Sequence, residues 1–242
     1  DYYTSSNGEV EIVQFHPSYT YEDFIEGFRP ELLPNGQPGF SIQDGPLKTL
    51  AAKAHSNSEG KYILLIDEIN RGNIAKVFGE LYFLLEYRDE KIKLQYSREA
   101  LFSLPKNLWI IGTMNTADRS IALLDSALRR RFYFIPFFPD KEPIKSLLRR
   151  WLKANKPEHE WLADAVDNAN ERLGDRHNAI GPSYFLDLDL DDNWIETIWE
   201  HAIIPYIEEY FYDQQDVAKE FALESLKLNT EPEEDDATDQ SD

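Results

Sequence analysis

Cysteine is absent from the 242 residues. That excludes disulfides and thiolate metal sites and fits a reducing, cytoplasmic setting. No run of 18 or more apolar residues occurs, so no membrane-spanning helix is expected. Basic residues are scarce: 25 Lys and Arg stand against 45 Asp and Glu, a net charge of −20. A broad nucleic-acid face needs clustered cations to neutralise phosphates, and this composition argues against one. A small basic patch, or DNA contact through another part of an assembly, remains compatible with it. The five histidines (His16, His55, His159, His177, His201) are scattered without metal-ligand spacing, and no zinc site is expected. Apolar residues make up 42 % and aromatics 13 %. That is enough for one large domain, or one domain plus a smaller one.

The stretch that organises the rest is Lys61 to Arg71, KYILLIDEINR. Five apolar residues run without a break and end in Asp67 and Glu68. A short continuous apolar run reads as a strand covered on both faces, as in a parallel sheet. Open α/β sheets place ligands at the carboxyl ends of such strands. Asp67 there suits Mg²⁺, and Glu68 suits polarising an attacking water. Solvated acids at a strand end are the plainer alternative.

Around this stretch the patterns alternate between strand and helix. EVEIVQF (Glu9 to Phe15) reads as a strand. Thr20 caps a short helix from Tyr21 that Arg29-Pro30 should end. Leu33 to Gly45 reads as a loop or hairpin. Pro46 opens a helix with Leu47, Leu50, Ala51 and Ala54 on one stripe. NIAKVFGELYFLLEY reads as one helix, with Ile74, Val77, Phe78, Leu81, Leu84 and Leu85 inward. KIKLQY suggests part of a hairpin. Asn107 to Thr113 reads as a second buried strand ending in MNTADRS, followed by the helix IALLDSALRRR. Phe132 to Phe138 reads as a third apolar strand. Such alternation predicts an α/β fold with a mostly parallel sheet flanked by helices.

From Asp140 the pattern turns helical and tryptophan-rich. A small α-helical domain is expected over residues 140–228, after an α/β core over 1–139. Trp151, Trp161, Trp194 and Trp199 are assigned to its core. Asp187, Asp189, Asp191 and Asp192 alternate with leucines, which favours a strand or loop with solvated acids over a calcium site. Residues 229–242 carry seven acids and no base, the composition of a disordered, solvated tail.

Three features fall in order along the core: the Asp67–Glu68 strand end, polar Asn115 at the end of a later strand, and Arg129, Arg130 and Arg131 closing the next helix. Asn115 can orient a water, although asparagine is common in turns. Arginines at a helix C-terminus can stabilise phosphate charge in a neighbouring subunit's site, although they also simply meet the macrodipole.

LLIDEINR, MNTADRS and ALRRRF, with FHPSYTYEDFIEGFRP upstream and IIPYIEEYF downstream, resemble the McrB family. These are AAA+ motor subunits of 5-methylcytosine-specific restriction systems. The resemblance spans roughly Glu9 to Tyr212. It implies that Asp67 and Glu68 are the Walker B pair, Asp67 serving Mg²⁺ and Glu68 being the catalytic acid. Asn115 matches the sensor 1 position within the signature continued by Asp118 and Arg119. Arg130 and Arg131 match the arginine-finger region, and Ser183 lies in GPSYF, where the lid meets nucleotide. The family hydrolyses GTP with Mg²⁺ at the interfaces of a ring, expected to be a hexamer. An McrC-like nuclease subunit is the implied partner, with DNA bound through a separate domain. An ATP-using relative and a non-catalytic AAA+ scaffold are the alternatives.

One departure is large. G-x-x-x-x-G-K-[ST], the phosphate-cradling Walker A loop, is absent. In the family it follows a strand in the middle of the sheet. The expectation is therefore a C-terminal portion of a longer protein, lacking that first strand and loop and inactive by itself.

Overall fold

A computed structural model describes residues 7–32, 36–115, 126–212 and 216–227. The chain divides into two compact units, Asp1–Phe134 and Ile135–Asp242. Neither the tail 229–242 nor Asp118 and Arg119 lie among the described residues.

The first unit opens with β1 (Glu9–Gln14) and the one-turn α1 (Tyr21–Phe24). Asp23 accepts hydrogen bonds from both the backbone N–H and the hydroxyl of Thr20, fixing the entry to α1. The chain then forms a hairpin, β2 (Glu26–Leu32) with antiparallel β3 (Pro38–Asp44). Arg29-Pro30 thus lies within a strand and does not terminate a helix. A two-stranded hairpin leaves an outer edge on each strand, where a proline without an N–H is tolerated.

α2 (Pro46–Ser56) buries Leu47, Leu50, Ala51 and Ala54, the stripe its periodicity predicts. β4 (Tyr62–Asp67) leads into the turn Ile69–Arg71. The following helical pattern is broken in two, α3 (Ile74–Phe78) and α4 (Leu81–Glu86). The break falls at Gly79, whose φ is +47°. That backbone, which side-chain-bearing residues rarely adopt, interrupts the helix, and a Cβ there would also stand 3.1 Å from the Tyr21 ring. The short hairpin β5 (Ile92–Lys93) and β6 (Leu101–Phe102) precedes β7 (Leu108–Gly112) and α5 (Ser126–Arg129).

β1, β4 and β7 form a three-stranded parallel sheet with β4 in the middle. Val13, Tyr62, Leu64, Ile66 and Leu108 point from one face into the core built with α2, α3 and α4. The opposite face carries Val10, Ile12, Ile63, Leu65, Trp109 and Ile111, as the registers Val10↔Ile63↔Trp109 and Ile12↔Leu65↔Ile111 require. Ile12 is 66 % and Trp109 58 % exposed. Ile63 in the middle of this face is buried, but Trp109 and Ile111 on β7 are exposed, so β7 is not the doubly buried strand its sequence suggests. Residues 132–138, expected as a third strand, pair with no strand among the described residues. A strand exists only through a ladder partner, and Pro136 lacks an N–H to give one.

Glu26, at the hairpin base, is fully buried. Its carboxylate accepts from Lys48 Nζ (2.7 Å), from the N–H groups of Tyr96 (3.1 Å) and Ser97 (2.7 Å), and from the Ser97 hydroxyl. Burial pushes this carboxyl up, but hydrogen bonds from Lys48 and Ser97 and the Lys48 charge outweigh it and hold the group below its usual range.

The second unit is helical: α6 (Leu147–Asn155), α7 (Trp161–Leu173), α8 (Asp192–Ile198), α9 (Ile204–Tyr210), α10 (Val217–Glu220) and α11 (Leu223–Lys227). α8 and α9 join through a π turn, Trp199–Ile203, immediately before Pro205. The widened turn accommodates the ring that a regular helix would push against a carbonyl one turn back. Trp199 is buried in this core and Trp151 and Trp161 pack against it, but Trp194 is exposed. Asp191 caps α8, accepting from Trp194 N–H, and Asp187 accepts from Asp189 N–H. These two acids have backbone roles. No described helix is long and apolar enough to cross a membrane.

Glu26→Ala leaves the Tyr96 and Ser97 N–H groups without their acceptor, while Lys48 keeps its ion pair with Asp44, and is expected to destabilise the protein by about 1–3 kcal/mol. Because the folded carboxyl titrates below the usual glutamate value of 4.5, its contribution is present above that pH and lost as pH falls through the lower value. Urea unfolding of both proteins between neutral and acid pH checks this: the difference between them should shrink below 4.5.

Candidate functional site

β4 carries Asp67 at its last position and Glu68 just beyond. Glu68 has φ +52°, in the left-handed region, and turns the chain sharply into Ile69–Arg71. For a residue with a Cβ this conformation costs roughly 1–2 kcal/mol. The ladder to β7 resumes on both sides of the bend: Thr113 N–H donates to Ile66 O and Ile69 N–H to Thr113 O, each at 2.9 Å. Ile69 packs so close that a Cβ on Gly112 would lie 3.0 Å from its Cδ1. The bend is thus built by cross-strand bonds and a close approach of Ile69 to Gly112.

Asp67 Oδ1 accepts from the Thr113 hydroxyl at 2.6 Å, and Oδ2 from Gln14 Nε2 at 3.3 Å. Gln14 stands directly beside Asp67 in the β1–β4 register. Thr113 Oγ1 also accepts from Glu68 N–H at 3.3 Å. Glu68 Oε2 lies 3.3 Å from Arg71 Nε in an ion pair, yet it is buried without a hydrogen bond. Asn70 is 8 % exposed. Its Nδ2 donates to Asn115 O at 3.1 Å, while its Oδ1 is buried without a partner. Asn115 is thereby tied to the acid-bearing turn.

An ionised carboxylate has about four acceptor positions, and Asp67 has two occupied by neutral donors. It therefore keeps capacity for a cation. Among the described residues no three His, Cys, Asp or Glu cluster as a metal cage. One or two carboxylates at a strand end suit Mg²⁺, which keeps waters and takes other ligands from phosphate. The unbonded Glu68 Oε2 is the kind of acceptor that can hold a water proton.

The structure places Asp67 and Glu68 in succession at the end of β4 and bonds the Asn115 carbonyl to Asn70 of the following turn. Arg131 and Arg130 follow α5 and differ from each other. The Arg131 side chain is 10 % exposed, bonds Glu86 at 2.6 Å and lies over the Tyr82 ring. The Arg130 side chain is 65 % exposed and stands 3.9 Å from the same carboxylate. Ser183 is exposed in the turn Pro182–Tyr184 of the second unit. Sequence reasoning missed Gln14, Asn70 and Thr113. The available signal was position: each is a polar residue at or beside the carboxyl end of a parallel strand.

Family comparison agrees with this layout. Residues 2–132 match the AAA domain (dynein-related subfamily), and residues 161–219 match the McrB alpha-helical lid domain. The Type IV methyl-directed restriction enzyme EcoKMcrB subunit of Escherichia coli (strain K12) is 41 % identical over 223 residues, covering 84 % of this chain and 47 % of that protein. The chain thus spans about half the length of that relative. The Type II restriction enzyme BsuMI component YdiS of Bacillus subtilis (strain 168) is 26 % identical over 242 residues, covering 81 % of this chain and 68 % of that one. With an AAA domain over its first half and a McrB lid over its second, this chain belongs to the McrB family of AAA+ proteins.

Proposed function

We propose that the chain is the motor portion of a modification-dependent restriction complex, hydrolysing GTP with Mg²⁺ at the interfaces of a ring, expected to be a hexamer. The observation that carries this reading is the acid pair at the end of the central parallel strand, with Asn115 tied to its turn. Residues 1–139 form the α/β core, 140–228 the lid and 229–242 an acidic tail. Asp67 is the Mg²⁺ ligand and Glu68 the base that polarises the attacking water. Asn115 orients that water, and Asp118 and Arg119 complete its signature. Ser183 contacts nucleotide from the lid. Mg²⁺ supplies charge neutralisation at the transferred phosphate. The resemblance favours GTP over ATP.

The phosphate cradle is supplied from outside these 242 residues, since the sequence contains no Walker A loop. DNA binding belongs to a separate domain and cleavage to an McrC-like nuclease partner, in the cytoplasm. The acidic charge supports this division, because phosphates are repelled by a surface of this sign.

Of the two arginines, exposed Arg130 is the finger that reaches a neighbouring subunit's site. Arg131 is a strut, held within its own chain by Glu86 and Tyr82. A scaffold reading has one point in its favour, the absent phosphate loop, but it leaves the strained Glu68 bend without a purpose.

In the full-length protein, Glu68→Gln is expected to keep Mg-nucleotide binding while turnover falls about 10²–10⁴-fold. Unchanged turnover, read by phosphate release, would reject Glu68 as the catalytic acid, and absence of turnover in the full-length parent would favour the scaffold. Arg130→Ala is expected to lower turnover roughly 10³-fold without loss of stability. Arg131→Ala is expected to lower stability by about 1–2 kcal/mol. Mixing Glu68→Gln with Arg130→Ala subunits should restore part of the activity, because some interfaces then pair an intact acid with an intact finger. No recovery on mixing would place Arg130 outside the neighbour's site.

A further inference from the structure

We infer that Thr113 is a positioning residue for the acid pair, fixing Asp67 for its cation and Glu68 for its water; this rests on the hydrolytic reading above. All three polar groups of Thr113 engage the four residues Ile66 to Ile69. Its N–H donates to Ile66 O and its carbonyl accepts from Ile69 N–H. Between these two bonds the hydroxyl donates to Asp67 Oδ1 at 2.6 Å and accepts from Glu68 N–H at 3.3 Å. A hydroxyl has one proton and two lone pairs, so both contacts are made at once without competition. The bond to Asp67 has the short length of a hydroxyl donating to a carboxylate, which is the stronger, charge-assisted kind.

The consequence is directional. With Oδ1 engaged on the β7 side and Oδ2 touched by Gln14 on the β1 side, the Asp67 carboxylate is held between its two neighbouring strands. Its remaining lone pairs are then presented in one orientation. The same hydroxyl holds the N–H of Glu68, the residue with φ +52° that sets where the second carboxylate begins. Asn70 closes the arrangement by holding Asn115 O, two residues beyond Thr113. Both acids, and through Asn70 the Asn115 carbonyl, are thus referenced to the segment just past the end of β7. Positional errors near 1 Å at such a site cost about 10²-fold in rate.

Thr113 is exposed, so replacing it removes the hydroxyl without opening a core cavity. Valine keeps the branched shape and both backbone bonds. In the full-length protein, Thr113→Val is expected to lower kcat about 10–100-fold and to raise the Mg²⁺ concentration for half-maximal rate severalfold, while nucleotide KM moves less than about twofold. Thr113→Ser, which restores the hydroxyl, should recover most of the rate, and Thr113→Ala should match valine. Far-UV circular dichroism and thermal unfolding should leave all three close to the parent. Equal losses in the serine and valine variants would overturn the inference, because the hydroxyl would then not be the acting group. So would parental kcat and Mg²⁺ dependence in Thr113→Val when Glu68→Gln abolishes turnover, and that outcome leaves the hydrolytic reading standing. Full turnover in Glu68→Gln itself would remove the role assigned to Glu68 and, with it, this inference.

Discussion

The site depends on a strand paired on both sides. β4 lies between β1 and β7, and its parallel register with each is continuous up to the acid pair. Parallel ladders put the carboxyl ends of neighbouring strands at one level. Gln14, Asp67 and Thr113 therefore meet although they are far apart in sequence. The bend at Glu68 follows from the same pairing. A left-handed residue with a side chain is unfavourable by about 1–2 kcal/mol, and it persists only where the surroundings over-determine it. Here ladder bonds fall on either side of it and a hydroxyl holds its N–H.

The other side of this economy is a sheet that is covered once. α2, α3 and α4 bury one face, while Ile12, Trp109 and Ile111 stand exposed on the other. Exposed contiguous apolar surface on a sheet is unfavourable in water and prone to association. The outer edge of β7 has the same character, with no strand partner among the described residues.

Local elements were readable where local pattern decides them. The α2 stripe, the β1 and β4 strands and the acid pair follow from periodicity and composition. The errors arose where a contact distant in sequence decides. Gly79, with φ +47° beside the Tyr21 ring, interrupts a helical pattern, and residues 132–138 have no ladder partner among the described residues. Arg29-Pro30 is carried into a strand by Phe40 and Ser41 across the hairpin. At the site, Asp67, Glu68 and Asn115 were visible as chemistry-bearing side chains at strand ends. Thr113 and Asn70 were not, because threonine and asparagine near a turn are ordinary, and only the β4–β7 register shows what they hold.

Charge sets the remaining constraint. Asp67 and Glu68 bring two negative charges to the strand end, and Arg71 is engaged in an ion pair with Glu68. A nucleotide's phosphates would meet net repulsion here, within a chain already at −20. On the proposed reading, the acid pair works once cations arrive: a metal on Asp67, cradle donors, and an arginine from across an interface. Arg131 cannot supply that last charge without giving up Glu86, whereas exposed Arg130 can do so at little cost. The strand end is thus a place where added positive charge would have a large effect, because it meets two carboxylates and few compensating cations.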